Sequence, residues 1–221
     1  MIFYILGLII FLLVVAILVL AYFKYSNNKG KHKKSEPNKV PFNYYKNSEE
    51  ADICILNKKS IKDCNAIKEL NIDKDITDIE DKCFINFTNL SSIKVDEENK
   101  SFCSKLGVLF SKDMKKIICY PPSKQTSTYF IPQGVESINT HAFFNNNYLK
   151  YIIIPTSISR IDENSFVNCK FINQVVIPEN VKEIHPHAFN ICPRITIRCY
   201  KGSAAEDFCK RYFIPFEYLS N

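Results

Sequence analysis

Apolar positions in the second half of the chain return at a fixed interval of 23 residues. Ile131-Pro132, Val135, Ile138 and Phe143 come back as Ile154-Pro155, Ile158, Ile161 and Phe166, then as Ile177-Pro178, Val181, Ile184 and Phe189. An earlier copy, Ile72, Ile76, Ile79 and Phe84, lacks the proline but keeps every apolar spacing. A fixed period of roughly 20–50 residues predicts a solenoid, in which each unit buries its apolar face only by stacking on the next. The units are joined by Leu-x-x-Ile-x-Ile stretches: Ile67 to Ile72, Leu90 to Val95, Leu149 to Ile154 and Ile172 to Ile177. Apolar residues two apart share one face of a strand, so these stretches predict short parallel strands whose inward faces build the core. The proline after each strand removes a backbone donor where ladder pairing ends, which suits an exit turn.

One unit is longer. From Val95 to Ile131 is 36 residues, 13 more than the period. Within it Leu106 to Phe110, Ser111 to Met114 and Lys116 to Tyr120 read as strand, turn and strand, so a β-hairpin inserted at about 105–120 is expected. The array needs a cap over its last open core. Ser203-Ala-Ala-Glu206 is a capping box, and Ala205, Phe208, Cys209 and Tyr212 follow on one helical face. A C-cap over 201–221 is therefore predicted, its helix followed by an edge strand at Ile214 to Leu219. The N-cap falls to residues 48–66, with Ile53 to Leu56 as its apolar part, and the whole solenoid to 48–221.

Ahead of the repeats the pattern is different. Ile2 to Phe23 is an unbroken apolar run of 22 residues, and 1–23 predicts a transmembrane anchor, since at about 1.5 Å per residue such a helix spans a bilayer. A cleaved signal peptide is the rival, but its apolar core is shorter, about 7–15 residues, and usually follows a basic residue. Residues 24–47 form a basic linker, in which the six lysines from Lys24 to Lys39 against Glu36 carry five of the six net positive charges. Basic residues flanking a span tend to stay on the cytoplasmic side, which places the solenoid there. The rest of the chain is near neutral and lacks the electrostatic footprint of a nucleic-acid binder.

The Ile-Pro-x-x-Val/Ile-x-x-Ile-x-x-x-x-Phe units, Cys169 and Cys192 at matching positions after two of them, and the module Lys105 to Asp113 resemble the BspA-like class of leucine-rich repeats. The resemblance covers residues 65–221 and implies an α/β repeat solenoid of short parallel strands. It also implies an adhesion-type or interaction module with no catalytic chemistry, of a kind found on surfaces or secreted. The small number of repeats and the N-terminal segment depart from that pattern.

Candidate chemistry changes little. The nine cysteines form no Cys-x-x-Cys pair, and structural free thiols are expected of them, with Cys169 and Cys192 buried against a turn backbone. His141 and His187 occupy matching positions two repeats apart, about 10 Å at the strand spacing, too far to share a metal. With no catalytic triad, phosphate loop or zinc signature, no enzyme activity, cofactor or metal is expected. What remains is a protein partner. The residues between the two apolar positions of each strand point outward: Asn71, Lys94, Phe130, Ile153 and Val176, with Tyr151 on the same face. The apolar part, Phe130, Tyr151, Ile153 and Val176, predicts an interaction surface, unless the hairpin or a second copy covers it. The alternatives are a scaffold that self-associates and an adhesin displayed outside after signal cleavage.

Overall fold

The computed structural model describes residues 45–46, 54–56 and 63–220. The expected anchor, residues 24–44 and 47 of the linker, and residues 48–53 and 57–62 of the expected N-cap lie outside the described residues. Among the described residues no helix is long and apolar enough to cross a membrane.

The chain begins with β1 (Tyr45–Lys46), β2 (Cys54–Leu56), one 3-10 turn (Cys64–Ala66), β3 (Glu69–Ile72), β4 (Asp78–Ile79) and β5 (Ser92–Val95). Then come β6 (Phe102–Lys105), β7 (Val108–Ser111), β8 (Lys116–Cys119), β9 (Thr128–Phe130), β10 (Ser137–Ile138), β11 (Tyr151–Ile153) and β12 (Arg160–Ile161). β13 (Gln174–Val176), β14 (Glu183–Ile184), β15 (Thr196–Cys199), helix α1 (Ala204–Tyr212) and β16 (Phe216–Tyr218) complete it. β9, β11, β13, β15 and β16 line up in chain order as one parallel sheet, so each repeat is one coil of a β-solenoid.

The inward register is the one the spacing predicts. Leu149, Ile152 and Ile154 are buried, as are Ile172, Val175 and Ile177 one coil on. Phe143, Phe166 and Phe189 form a stacked column, with ring centroids 4.7 and 5.1 Å apart and planes 21° and 10° from parallel. Tyr120 extends the column at 5.2 Å from Phe143, and Phe208 of α1 closes it edge-on at 6.2 Å from Phe189. Phe84 departs from its counterparts. It is only half-buried and packs at the border of a separate N-terminal core, where Cys83 and Phe87 take the buried positions.

The insertion is a three-stranded antiparallel sheet rather than a hairpin. Its first strand, β6, pairs with β7 through a two-residue turn at Leu106-Gly107, where both residues have positive φ and Leu106 is 79% exposed. The strand expected to start at Leu106 therefore starts at Val108. β8 also pairs in parallel with β10, so the insertion is built into the stack and is not an excursion from it. β7 is buried on both faces. Val108 and Phe110 join the C-terminal core while Leu109 joins the N-terminal one, so the sheet is a partition between the two.

Backbone groups turned inward at the bends are satisfied by one recurring position. Asn146 Nδ2 donates to Pro121 O, and its Oδ1 accepts from Tyr148 N and Leu149 N. Cys169 and Cys192 stand one and two periods later, their thiols donating to Phe143 O at 2.9 Å and Phe166 O at 3.0 Å. Asn99 does the same work in the N-terminal part, donating to Asp73 O and Ile76 O and accepting from Ser101 N and Phe102 N. α1 caps the stack as the sequence predicts, with Ala205, Phe208 and Cys209 buried. Tyr212, expected on that face, lies at its margin, 39% exposed and 4.9 Å from the Phe208 ring.

Candidate protein-interaction surface

Strands held at both sides by parallel neighbours present outward side chains in straight rows, because every residue faces its counterpart one coil away. One row runs Phe130, Ile153, Val176, Arg198 and Glu217 across the sheet. A second runs Thr128, Tyr151, Gln174 and Thr196. Phe130 is 68% and Tyr151 42% exposed, while Ile153 and Val176 are half-buried between their neighbours. The inserted sheet therefore leaves Phe130 and Tyr151 open. The surface is graded: aromatic and aliphatic at β9 and β11, then ionic at the far end, where Arg198 Nε lies 3.9 Å from Glu217 Oε2.

Asn71 and Lys94, expected in the same row, belong to a separate pair. β3 and β5 form their own two-stranded sheet, in which Asn71 faces Lys94 and Lys94 Nζ pairs with Glu69 at 3.0 Å. The Leu106-Gly107 turn lies beside β5, Ile93 N–H donating to Gly107 O at 2.9 Å. Gly107 has φ 78°, where a side chain is strained, and a β-carbon there would also crowd Ser92, so glycine suits this turn. Arg198 falls outside the row that the period predicts because it lies 22 residues after Val176, one short of the repeat.

The buried cysteines away from this face are structural. Burial pushes the Cys119 and Cys169 thiols up, and the Cys209 thiol to about 12, which keeps them protonated and unreactive. His141 is half-buried, and burial lowers its pKa.

The profile of the BspA type leucine-rich repeat region matches six copies, over residues 47–112 and 118–203. The chain belongs to this family. Bacterial structures of the same fold agree with the family assignment. A leucine-rich repeat protein from Eubacterium ventriosum is 26% identical, with a TM-score of 0.57 over 62% of this chain and 37% of its own. The pneumococcal vaccine antigen PcpA is 25% identical, with a TM-score of 0.52 over 60% and 39%. A leucine rich cell surface protein from Faecalibacterium prausnitzii is 22% identical and shares the fold, with a TM-score of 0.52 over 71% and 49%. The family member described here thus spans less than half of each of these chains. No curated protein matches it.

Proposed function

We propose that this BspA-type repeat protein is membrane-anchored and binds a protein partner through the outer face of its sheet, at Phe130, Tyr151, Ile153 and Val176. The exposure of Phe130 and Tyr151 on a laddered sheet carries this reading. A rigid sheet orders two large rings in advance, so little conformational entropy is lost when a partner covers them. Catalysis is no part of this reading. Anchoring rests on Ile2 to Phe23, and a cytoplasmic solenoid on the lysines after it. The opposite sidedness is favoured by two similar structures, a cell surface protein and a vaccine antigen.

Both parts are read from one preparation of the full chain in sealed cells. Protection of the solenoid from added protease until lysis is expected, and cleavage before lysis overturns the cytoplasmic placement. Crosslinking and capture from the lysed cells should then retain a partner on the wild type and lose it on the triple variant Phe130→Ser, Tyr151→Ser, Ile153→Ser. The melting temperature should hardly move, because the outward positions lie outside the core. Undiminished capture by the variant rules out this face. Capture of nothing but a second copy supports the self-associating scaffold instead.

A further inference from the structure

The bend after β12 and β14 carries a side-chain cluster that the proposed function does not use. In this parallel pair Arg160 faces Glu183 and Ile161 faces Ile184. The two coils stay laddered beyond the strands, His185 N–H donating to Ile161 O and Phe166 N–H to Ala188 O, both at 2.9 Å. Glu163 on one coil and His185 and His187 on the next lie between those two bonds. Ala188 N–H donates to the His185 carbonyl, also at 2.9 Å, closing a turn around Pro186, whose ring fixes φ. The three side chains thus hang from backbone that is held at both ends.

Their ligand atoms converge. Glu163, His185 and His187 each place one nitrogen or oxygen within 4.8 Å of the other two. His187 Nδ1 is 3.7 Å from Glu163 Oε1. Zinc binds imidazole and carboxylate at about 2.0–2.2 Å, so tetrahedral ligand atoms stand about 3.3–3.6 Å apart. Side chains this exposed close the remaining gap, about 1 Å, by small rotations. The neighbouring acids are already matched, since Arg160 holds Asp162 at 2.5 Å and Glu183 at 3.1 Å. Among the described residues Glu163 has no lysine or arginine in an ion pair; it meets His187 and the Asn164 side-chain amide, the latter at 3.2 Å. A carboxylate beside two imidazoles, with no cation of its own, is a donor set that a metal dication completes.

We propose that Glu163, His185 and His187 bind a transition-metal dication of the zinc type, with water filling the open position. Two nitrogens and one oxygen suit zinc, nickel or copper, whereas magnesium and calcium take oxygen ligands almost alone. The metal joins one coil to the next. His185 Nδ1 accepts the His187 amide N–H at 3.2 Å, so ligation through Nε2, which needs the other tautomer, costs that bond and weakens the binding.

The nine cysteines also attract zinc, so the test is a difference between variants of the full chain, kept reduced. Calorimetric titration with zinc chloride should show one micromolar equivalent in the wild type, absent in His187→Ala and His185→Gln. In Glu163→Gln it should be weaker by at least about tenfold, and magnesium should give no binding heat in any of them. Cobalt substitution should give a d–d spectrum without a thiolate charge-transfer band. The substituted side chains are exposed or half-buried, so metal-free melting temperatures should agree across all four proteins, while with zinc the wild type should gain several degrees, Glu163→Gln fewer and the two histidine variants none. The same number of equivalents in every variant, a thiolate band, or no micromolar equivalent in the wild type overturns the site.

Discussion

Ile191 is held at φ 58°, in the left-handed region where a β-branched side chain crowds its own backbone. Its counterparts one and two periods earlier, Asn168 at 59° and Asn145 at 56°, have the residue type that tolerates this conformation. Ile191 is 65% exposed, so its apolar contacts offset little of the strain. Ile191→Asn should therefore stabilise the protein by about 1 kcal/mol, seen as a higher melting temperature; a lower one would show that its contacts outweigh the strain. Residue-scale structure is where the sequence is least legible. Asn146 satisfies three backbone groups from a buried position, and although it stands one period before Cys169, its residue type is one that more often lies exposed. Cys169 and Cys192 could be placed because their spacing matches the period, and the structure gives both the turn-facing role that spacing suggests.

At the scale of elements, α1 depends on one buried carboxylate. Glu206 accepts from Gly202 N at 2.5 Å, Lys210 Nζ at 2.6 Å and Tyr218 Oη at 2.8 Å, tying the helix to the turn before it and to β16. Lys210, then the Gly202 amide and Tyr218, hold its pKa at about 2, against 4.5 for a free glutamate. A depressed folded pKa means stability that is complete above the unfolded value and lost as pH falls through the folded one. Glu206→Gln should lower the melting temperature at neutral pH, with the gap to wild type narrowing between pH 4.5 and about 2. A gap that stays constant across that window in thermal unfolding would show that the charge is not what binds the cap. The capping box announces this helix because its Ser203 and Glu206 are local in sequence. β6 is not announced: Phe102-Cys-Ser-Lys105 has one buried residue, and its turn puts an exposed leucine where a strand pattern expects an inward one.

For the whole molecule, the aromatic column crosses every coil of the C-terminal core. Phe166 lies at its centre, fully buried, with a ring stacked on each side. Phe166→Ala should cost about 3–5 kcal/mol in chemical denaturation, and a loss below about 1 kcal/mol would contradict the stacking register. The fold was legible because this column and the strands beside it share one period. The surface was legible only in part, since neighbouring coils align residues by space and not by a constant count. Arg198 is 22 residues from Val176, and Glu163 is 22 from His185 and 24 from His187, so a search at 23 finds none of these pairings. Lys94 shows the converse error, fitting the outward pattern while belonging to the other sheet.

The partition formed by β6, β7 and β8 gives the molecule two ends that are fixed and a middle that is not. Tyr120 starts the aromatic column at the partition and Phe208 stops it at the helix, and neither contact specifies how many coils stand between them. Duplicating or deleting a 23-residue unit between Ile131 and Ile177 moves the two bookends apart or together while each keeps the same kind of neighbour. The N-terminal core, sealed behind Leu109, does not register the change. Length in such a protein can drift over generations without a new fold having to be found at each step.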